Sequence, residues 1–275
     1  MKPSACNDTL TRVLLFIPVY QCDIQVIRIL ASLEKSKYSF IDKILLVDNL
    51  STDNTLHSIV RYVKDSENLP SCSVICNKTN YGLGGSHKVA AGYAMQHGYS
   101  HIIVLHGDDQ ADLADIEETI ALGDHLFYDC ILGARFMKGS RLIGYSLGRR
   151  LANNILNYLF SSVVMNRVWD LGSGLNLFTT NALITTNLDK LPDDLTFNYA
   201  LMLELYRNKR TIKYIPISWR DEDQVSNLRL AKQAMSTIKI LAKYIFRARS
   251  TDSYNIHQIL ARYEYQIVLE RQNHS

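Results

Sequence analysis

The feature that most constrains the fold is a repeating alternation in the first half of the chain. Val13–Pro18, Lys43–Asp48, Ser73–Asn77, His101–Leu105 and Cys130–Gly133 are short runs dominated by apolar residues. Runs of that length, bounded by polar clusters, read as strands buried on both faces. Between them, Ile24–Leu33, Asn54–Val63, Gly85–Gly98 and Asp115–Leu122 carry apolar residues at helical spacing. Ser51 or Asp53 can cap the second of these helices, and Gly98 closes the third. Strands alternating with helices predict an α/β sheet with mainly parallel neighbours. From about residue 145 the pattern is mainly helical, interrupted at Val168–Phe178 and Thr211–Trp219, and the last 25 or so residues read as one more short helix. No internal repeat and no long linker is visible.

A chain of 275 residues with 47% hydrophobic and 21% charged residues can bury a large core, which excludes a disordered tail or a disulfide-stapled miniprotein. No apolar stretch approaches the roughly 18 to 20 residues of a membrane-spanning helix. Met1–Leu10 has no apolar run after its lysine and does not read as a secretory signal. Cys6, Cys22, Cys72, Cys76 and Cys130 form no zinc pattern and cannot all pair, which fits reduced thiols. The expectation is a cytoplasmic protein with no membrane span of its own. A net charge of +3 is too small to argue for nucleic acid as a partner.

In parallel α/β sheets, ligands bind beyond the carboxyl ends of the strands. Polar clusters follow three strand ends here: Asp48-Asn49, Asn80–Gly85 and Asp108–Gln110. Asp108, Asp109, Asp112 and Asp115 can hold a divalent cation against phosphate oxygens, or can be a solvated loop and an acidic helix start. Asp48 can accept hydrogen bonds from a nucleobase or ribose, or can serve a turn. Asn80-Tyr81-Gly82-Leu83-Gly84-Gly85 opens a helix, and its glycines permit positive φ and close ligand approach. It lacks the Gly-Lys-Ser/Thr of a P-loop, and no Gly-x-Gly-x-x-Gly follows the first strand, which argues against a Rossmann dehydrogenase.

Taken together and in order, these motifs resemble a family 2 glycosyltransferase of the GT-A fold. Ile17-Pro18-Val19-Tyr20 resembles the family's P-x-Y-N-E opening, and Val47–Thr55 resembles V-D-D-G-S-x-D-G-T. Asn80–Gly84 resembles N-x-G-x-G, and Leu105–Gln110 resembles the metal-binding D-x-D-x-Q. Gly133–Phe136, Asp170–Leu175 and Ile215–Ser226 resemble motifs of the dolichol-phosphate mannose synthase branch. The likeness runs from about Arg12 to Leu228. It implies a mixed, mainly parallel sheet flanked by helices, with a catalytic domain over residues 1–225 and a C-terminal helical extension over 226–275.

By that resemblance, Pro18, Tyr20, Asp48, Asn49, Asn80 and Gly82 would bind the nucleotide. His106, Asp108 and Gln110 would hold Mg2+ or Mn2+. Asp108, Arg135 and Arg220 would serve catalysis. Arg135, Arg149, Arg150 and Ser226 would meet the acceptor or its phosphate. Cation and arginines would neutralise the departing nucleoside diphosphate. Three departures stand out: His106 replaces the first aspartate of D-x-D, Gln21-Cys22 replaces N-E, and Asn49 replaces an aspartate.

Many family 2 enzymes that glycosylate hydroxyls carry an E-D pair, and Asp194–Tyr199 has none, although Asp193 or Asp194 is a candidate displaced base. A hydroxyl acceptor needs a base and a phosphate does not. The resemblance therefore favours inverting transfer to a polyprenyl- or dolichyl-phosphate type acceptor. The alternatives are a hydroxyl of a lipid-linked or surface glycan, or a non-catalytic nucleotide-sugar binding protein. Ser226–Arg249 carries Arg229, Lys232, Lys239, Lys243, Arg247 and Arg249 without an acid, a pattern that fits either peripheral contact with the cytoplasmic face of an anionic membrane or a packed helix with a basic edge. Tyr145–Met165 is a second candidate interfacial helix.

Overall fold

The computed structural model describes residues 11–36, 38–221, 237–242, 244–245 and 261–272. Its strands are β1 (Val13–Val19), β2 (Lys43–Asp48), β3 (Cys72–Asn77), β4 (His101–Leu105), β5 (Cys130–Ala134), β6 (Arg141–Ile143), β7 (Leu175–Thr179), β8 (Ile212–Pro216), β9 (Ser218–Arg220) and β10 (Tyr265–Arg271). Its α-helices are α1 (Asp23–Ser36), α2 (Thr55–Asp65), α3 (Gly82–Gln96), α4 (Ala114–Ala121), α5 (Leu147–Val164), α6 (Thr180–Ile184) and α7 (Phe197–Arg207).

The main sheet has the order β10-β3-β2-β1-β4-β7-β5-β8. The pairs β1–β2, β2–β3, β1–β4 and β5–β8 are parallel, whereas β7 runs antiparallel between β4 and β5. The first five strands and β8 therefore all end at one edge of the sheet. β6 and β9 form a separate two-stranded parallel ribbon at that edge, and Ala111 bridges to Trp219.

The alternation of β1 divides the core into two layers. Leu14 and Phe16 join Val89, Ala90 and Tyr93 of α3 on one face, while Leu15 and Ile17 join Val26 and Leu30 of α1, Ile59 of α2 and Ile116 of α4 on the other. Every residue of β1 is buried, which is why no polar side chain interrupts it before the strand ends. The four described cysteines are buried and free.

Two expectations change. The third helix starts at Gly82 rather than Gly85, so the glycine-rich turn is the helix's own first turn. The end of the chain is a strand: β10 pairs antiparallel with β3, Tyr265 opposite Asn77 and Arg271 opposite Cys72. Tyr265–Leu269 is rich in β-branched and aromatic residues, and β3 offers an otherwise open row of backbone donors and acceptors. This part of the expected helical extension is thus built into the main sheet. Residues 237–242 are helical, with Ile240, Leu241 and Tyr244 against the core and Arg207 donating to the Tyr244 carbonyl. Ser226, Arg229, Lys232, Lys243, Arg247 and Arg249 of the basic stripe lie outside the described residues.

Arg271 ties β10 to the end of α2. Its guanidinium donates to the carbonyls of Val63 and Glu67 at 2.9 and 2.8 Å and to that of Ser66. A cation there satisfies last-turn carbonyls and complements the helix dipole. Arg271→Ala is expected to cost about 1–3 kcal/mol in urea unfolding, and Arg271→Lys to recover only part, because an ammonium cannot span the fork.

Candidate active site

The edge where the strands end is held together before any ligand is considered. Gln21 and Leu50, just past β1 and β2, have positive φ values of 51° and 62°, so both loops turn sharply. The Gln21 amide donates to Ser51 Oγ at 3.1 Å, and the Cys22 amide to Thr55 Oγ1 at 2.9 Å. Gln21 Nε2 also donates to Thr52 Oγ1 at 2.9 Å, so backbone and side chain of this segment join the β1 loop to the β2 loop. Pro18 is buried, with its carbonyl accepting from the Gly107 amide, and Tyr20 is exposed at the rim.

Asp48 ends β2. Its Oδ2 accepts from the Ser51 amide at 3.1 Å, while its Oδ1 is buried without a partner. A buried unpaired carboxylate oxygen is costly unless a donor reaches it, and a nucleobase or ribose donor would satisfy it. Asn49 is already engaged: its Oδ1 accepts from Asn77 and the Tyr81 amide, and its Nδ2 donates to Asn80 Oδ1 at 2.7 Å. Asn80 Oδ1 also accepts from the Gly82 amide. Asn49 and Asn80 therefore shape the loop after β3.

The glycines of that loop meet protein. A Cβ on Gly82, whose φ is +74°, would lie 2.4 Å from the Asp193 carbonyl oxygen, and one on Gly84 would lie 2.3 Å from that of Pro192. The Gly84 amide donates to the Asp193 carbonyl at 2.7 Å. Close packing of α3 on residues 192–194, rather than room for a ligand, is what these two glycines supply. Asp193 is locked there: Oδ1 accepts from buried Lys88 at 2.5 Å and from Tyr263 at 2.7 Å. Asp194 Oδ1 accepts from the amide and hydroxyl of Thr196. Asp112 and Asp115 have the structural roles open to them: Asp112 accepts from the Ala114 amide, and Asp115 from the amide and hydroxyl of Ser218.

The loop after β4 carries the candidate cation ligands. Burial pushes the Asp108 carboxyl up to about 6. Burial, with the nearby Arg135 charge, lowers the His106 imidazole to about 4, so it is neutral at pH 7. Its Nε2 is buried and unpartnered. A Cβ on Gly174 would lie 3.1 Å from the His106 Cβ, so a side chain there would press on the histidine. Gln110 uses its amide nitrogen on Asp221 Oδ1 at 3.1 Å. A carboxylate, an amide oxygen and a neutral imidazole form a donor set that a divalent cation such as Mn2+ accepts. Among the described residues, no three His, Cys, Asp or Glu side chains converge on a common point, so a cation here needs ligand oxygens to complete its shell.

Two of the arginines are paired by aspartates that the sequence did not single out as site residues. Arg135 forks onto Asp170, Nε to Oδ2 at 2.7 Å and Nη2 to Oδ1 at 2.8 Å, and its amide donates to the same carboxylate. The guanidinium lies 4.6 Å from the Trp219 ring centroid. Arg149 pairs with Asp221 and lies over the Tyr145 ring. Arg220 and Arg28 share Asp109, which holds a φ of 57° at the centre of the loop. Arg150 is exposed. Asp170 was visible as the first residue of a matched motif, and Asp221 follows Arg220 in another, but nothing local marks either as an arginine partner.

The sequence profile of glycosyl transferase family 2 matches residues 15–186, more than half of the chain and all of the site loops from β1 to β7. The chain belongs to glycosyl transferase family 2. It is a glycosyltransferase with the family's fold. Among solved structures it is similar to glucosyl-3-phosphoglycerate synthase from Mycobacterium tuberculosis bound to uridine diphosphate, 12% identical over 96% of this chain and 91% of that one, with a TM-score of 0.63. The same enzyme with Mn2+, UDP-glucose and glycerol 3-phosphate aligns over 88% of this chain and 82% of its own, at 11% identity and a TM-score of 0.63. Another mycobacterial protein aligns over 96% and 87%, at 11% identity and a TM-score of 0.66.

The Arg135–Asp170 fork is buried on both sides, with side-chain exposures of 11% and 1%. Removing one partner leaves an uncompensated buried charge. Asp170→Asn is expected to lower unfolding free energy by about 3–5 kcal/mol, measured by chemical denaturation.

Proposed function

We propose that this glycosyltransferase moves a sugar, with inversion, from a nucleoside diphosphate to the phosphate of a polyprenyl-phosphate type acceptor at a membrane surface. The observation that carries the acceptor class is the engagement of both candidate bases. Asp193 is held by Lys88 and Tyr263, and Asp194 holds the amide and hydroxyl of Thr196 just before α7. An acceptor that is already an anion needs no proton removed.

In this reading, Asp48 Oδ1 accepts from the nucleotide, with Tyr20 at the rim. Asp108, Gln110 and His106 hold the divalent cation, which when bound offsets the negative charge building on the leaving diphosphate. The structural neighbour that binds Mn2+ with UDP-glucose supports that assignment. Arg149 and Arg150 on α5 face the acceptor phosphate, and Arg135 and Arg220 contribute positive potential from behind their aspartates. The neighbours bind phosphoglyceric acid and glycerol 3-phosphate, so a phosphate-bearing acceptor is common ground.

The lipid form is favoured by α5. Leu147, Leu151, Ile155, Tyr158 and Leu159 are exposed along one side of it, while Asn157, Phe160 and Val164 are buried. Lys138, Arg141 and Arg150 are exposed nearby. An apolar stripe with basic flanks fits the interface of an anionic leaflet. No described helix is long and apolar enough to cross a membrane. The second reading, transfer to a hydroxyl, is favoured by the neighbours' glycosylated phosphoglycerate product.

Labelled nucleotide sugars offered with polyprenyl phosphate in vesicles, or with 3-phosphoglyceric acid in buffer, separate the two. The expected product is lipid-extractable and labile to mild acid; an acid-stable product overturns the phosphate acceptor. Asp108→Ala is expected to lower kcat/KM by roughly 10²–10³-fold; full retention of activity would exclude its role. Leu151→Glu with Ile155→Glu is expected to weaken co-sedimentation with anionic vesicles by about tenfold or more, since each buried leucine or isoleucine contributes roughly 1.5–3 kcal/mol.

A further inference from the structure

Asp221 is a carboxylate with 3% side-chain exposure just past β9, and three segments of the site meet on it. Its Oδ1 accepts from Gln110 Nε2 at 3.1 Å, and its Oδ2 from Arg149 Nη1 on α5. Its own amide donates to the Ile143 carbonyl at the end of β6 at 3.0 Å, while the adjoining Arg220 amide donates to the Gln110 carbonyl at 2.8 Å. The backbone of the cation loop and the position of Asp221 are therefore mutually fixed.

This geometry decides which way the Gln110 carboxamide faces. A carboxylate only accepts, so it takes the NH2 end of the amide and leaves Oε1 as the free end. The reverse orientation would set two oxygens against each other in a buried place. Only Oε1 can ligate a cation. We propose that Asp221 is a positioning residue that holds Gln110 with its oxygen toward the divalent cation and links that orientation to Arg149 on the acceptor helix. The inference rests on the assignment of Gln110 as a cation ligand.

The chemistry allows an inversion test. Arginine only donates, so in Asp221→Asn the new side-chain oxygen stays with Arg149 and the new NH2 faces Gln110. Gln110 must then turn over, presenting its own NH2 to the cation. Adding Gln110→Glu to that variant restores an oxygen on both sides. Mn2+ binding is followed by electron paramagnetic resonance with uridine diphosphate present, with thermal melts of every variant alongside.

Asp221→Asn is expected to weaken Mn2+ by about tenfold or more and leave uridine diphosphate binding without Mn2+ unchanged. The double variant is expected to bind Mn2+ within about threefold of wild type. Should Asp221→Asn fold poorly, the comparison moves to Gln110→Glu. That change must then raise Mn2+ affinity by about tenfold more in the Asp221→Asn background than in the wild-type one. Wild-type-like affinity in Asp221→Asn, or a loss that Gln110→Glu does not repair, overturns the proposal. A wild-type protein that takes no Mn2+ overturns the cation assignment itself, and Gln110→Ala with unchanged affinity removes Gln110 from it.

Discussion

The structure depends on burying four neighbouring parallel strands on both faces. β1 and β3 are buried throughout, β4 likewise, and β2 from its second residue. The interior positions of strands so enclosed carry no unpaired polar side chain, because no water is present to hydrogen-bond one. Polar chemistry is displaced to the strand ends, and since the strands run parallel, those ends share one edge. Asp48, the Asn80 loop and His106–Gln110 are adjacent for that reason, although more than 50 residues separate the first from the last. The reversal of strand order between β1 and β4, which are themselves parallel, marks the crevice in which such sheets bind ligands.

A second tier of charges organises that edge. Asp170, Asp221, Asp109 and Asp193 each hold at least one cationic side chain. The pair buried on both sides, Arg135 with Asp170, contributes little net stability compared with apolar packing, but breaking it is costly. The effect of all four here is geometric: they fix guanidinium groups and loop backbones around the edge where the strands end. The loop after β4 shows the consequence. Asp109 sits in a left-handed conformation that a non-glycine residue seldom adopts, and two arginines hold it there.

The fold of the first 135 residues was legible in the sequence because burial on both faces leaves a compositional signature: β2 and β4 have the boundaries their apolar runs predict, and α1, α2 and α4 differ only at their ends. The C-terminal strand was not legible. A seven-residue segment with exposed and half-buried positions carries a weak pattern, and only the open edge of β3 makes it a strand. At the site, the motif positions stand at the strand ends, and the structure adds partners that no motif shows. Gly82 and Gly84 looked like space for a ligand and are space for residues 192 and 193. Asn49 and Asn80, expected to meet the nucleotide, also hydrogen-bond each other.

By itself, the sequence determined the apolar runs that become strands, the family, and the residues that stand at the strand ends, since each follows from short-range pattern and motif spacing. Only the tertiary structure decided which of those residues remain free to act. Asp48 keeps an unpaired oxygen and His106 an unpaired nitrogen, whereas Asp193, Asp194 and Arg135 are taken up by partners. The partners lie 105 residues apart for Lys88 with Asp193 and 111 for Gln110 with Asp221. Hydrogen-bond satisfaction in a buried site is a property of such distant pairs, and no local pattern encodes it.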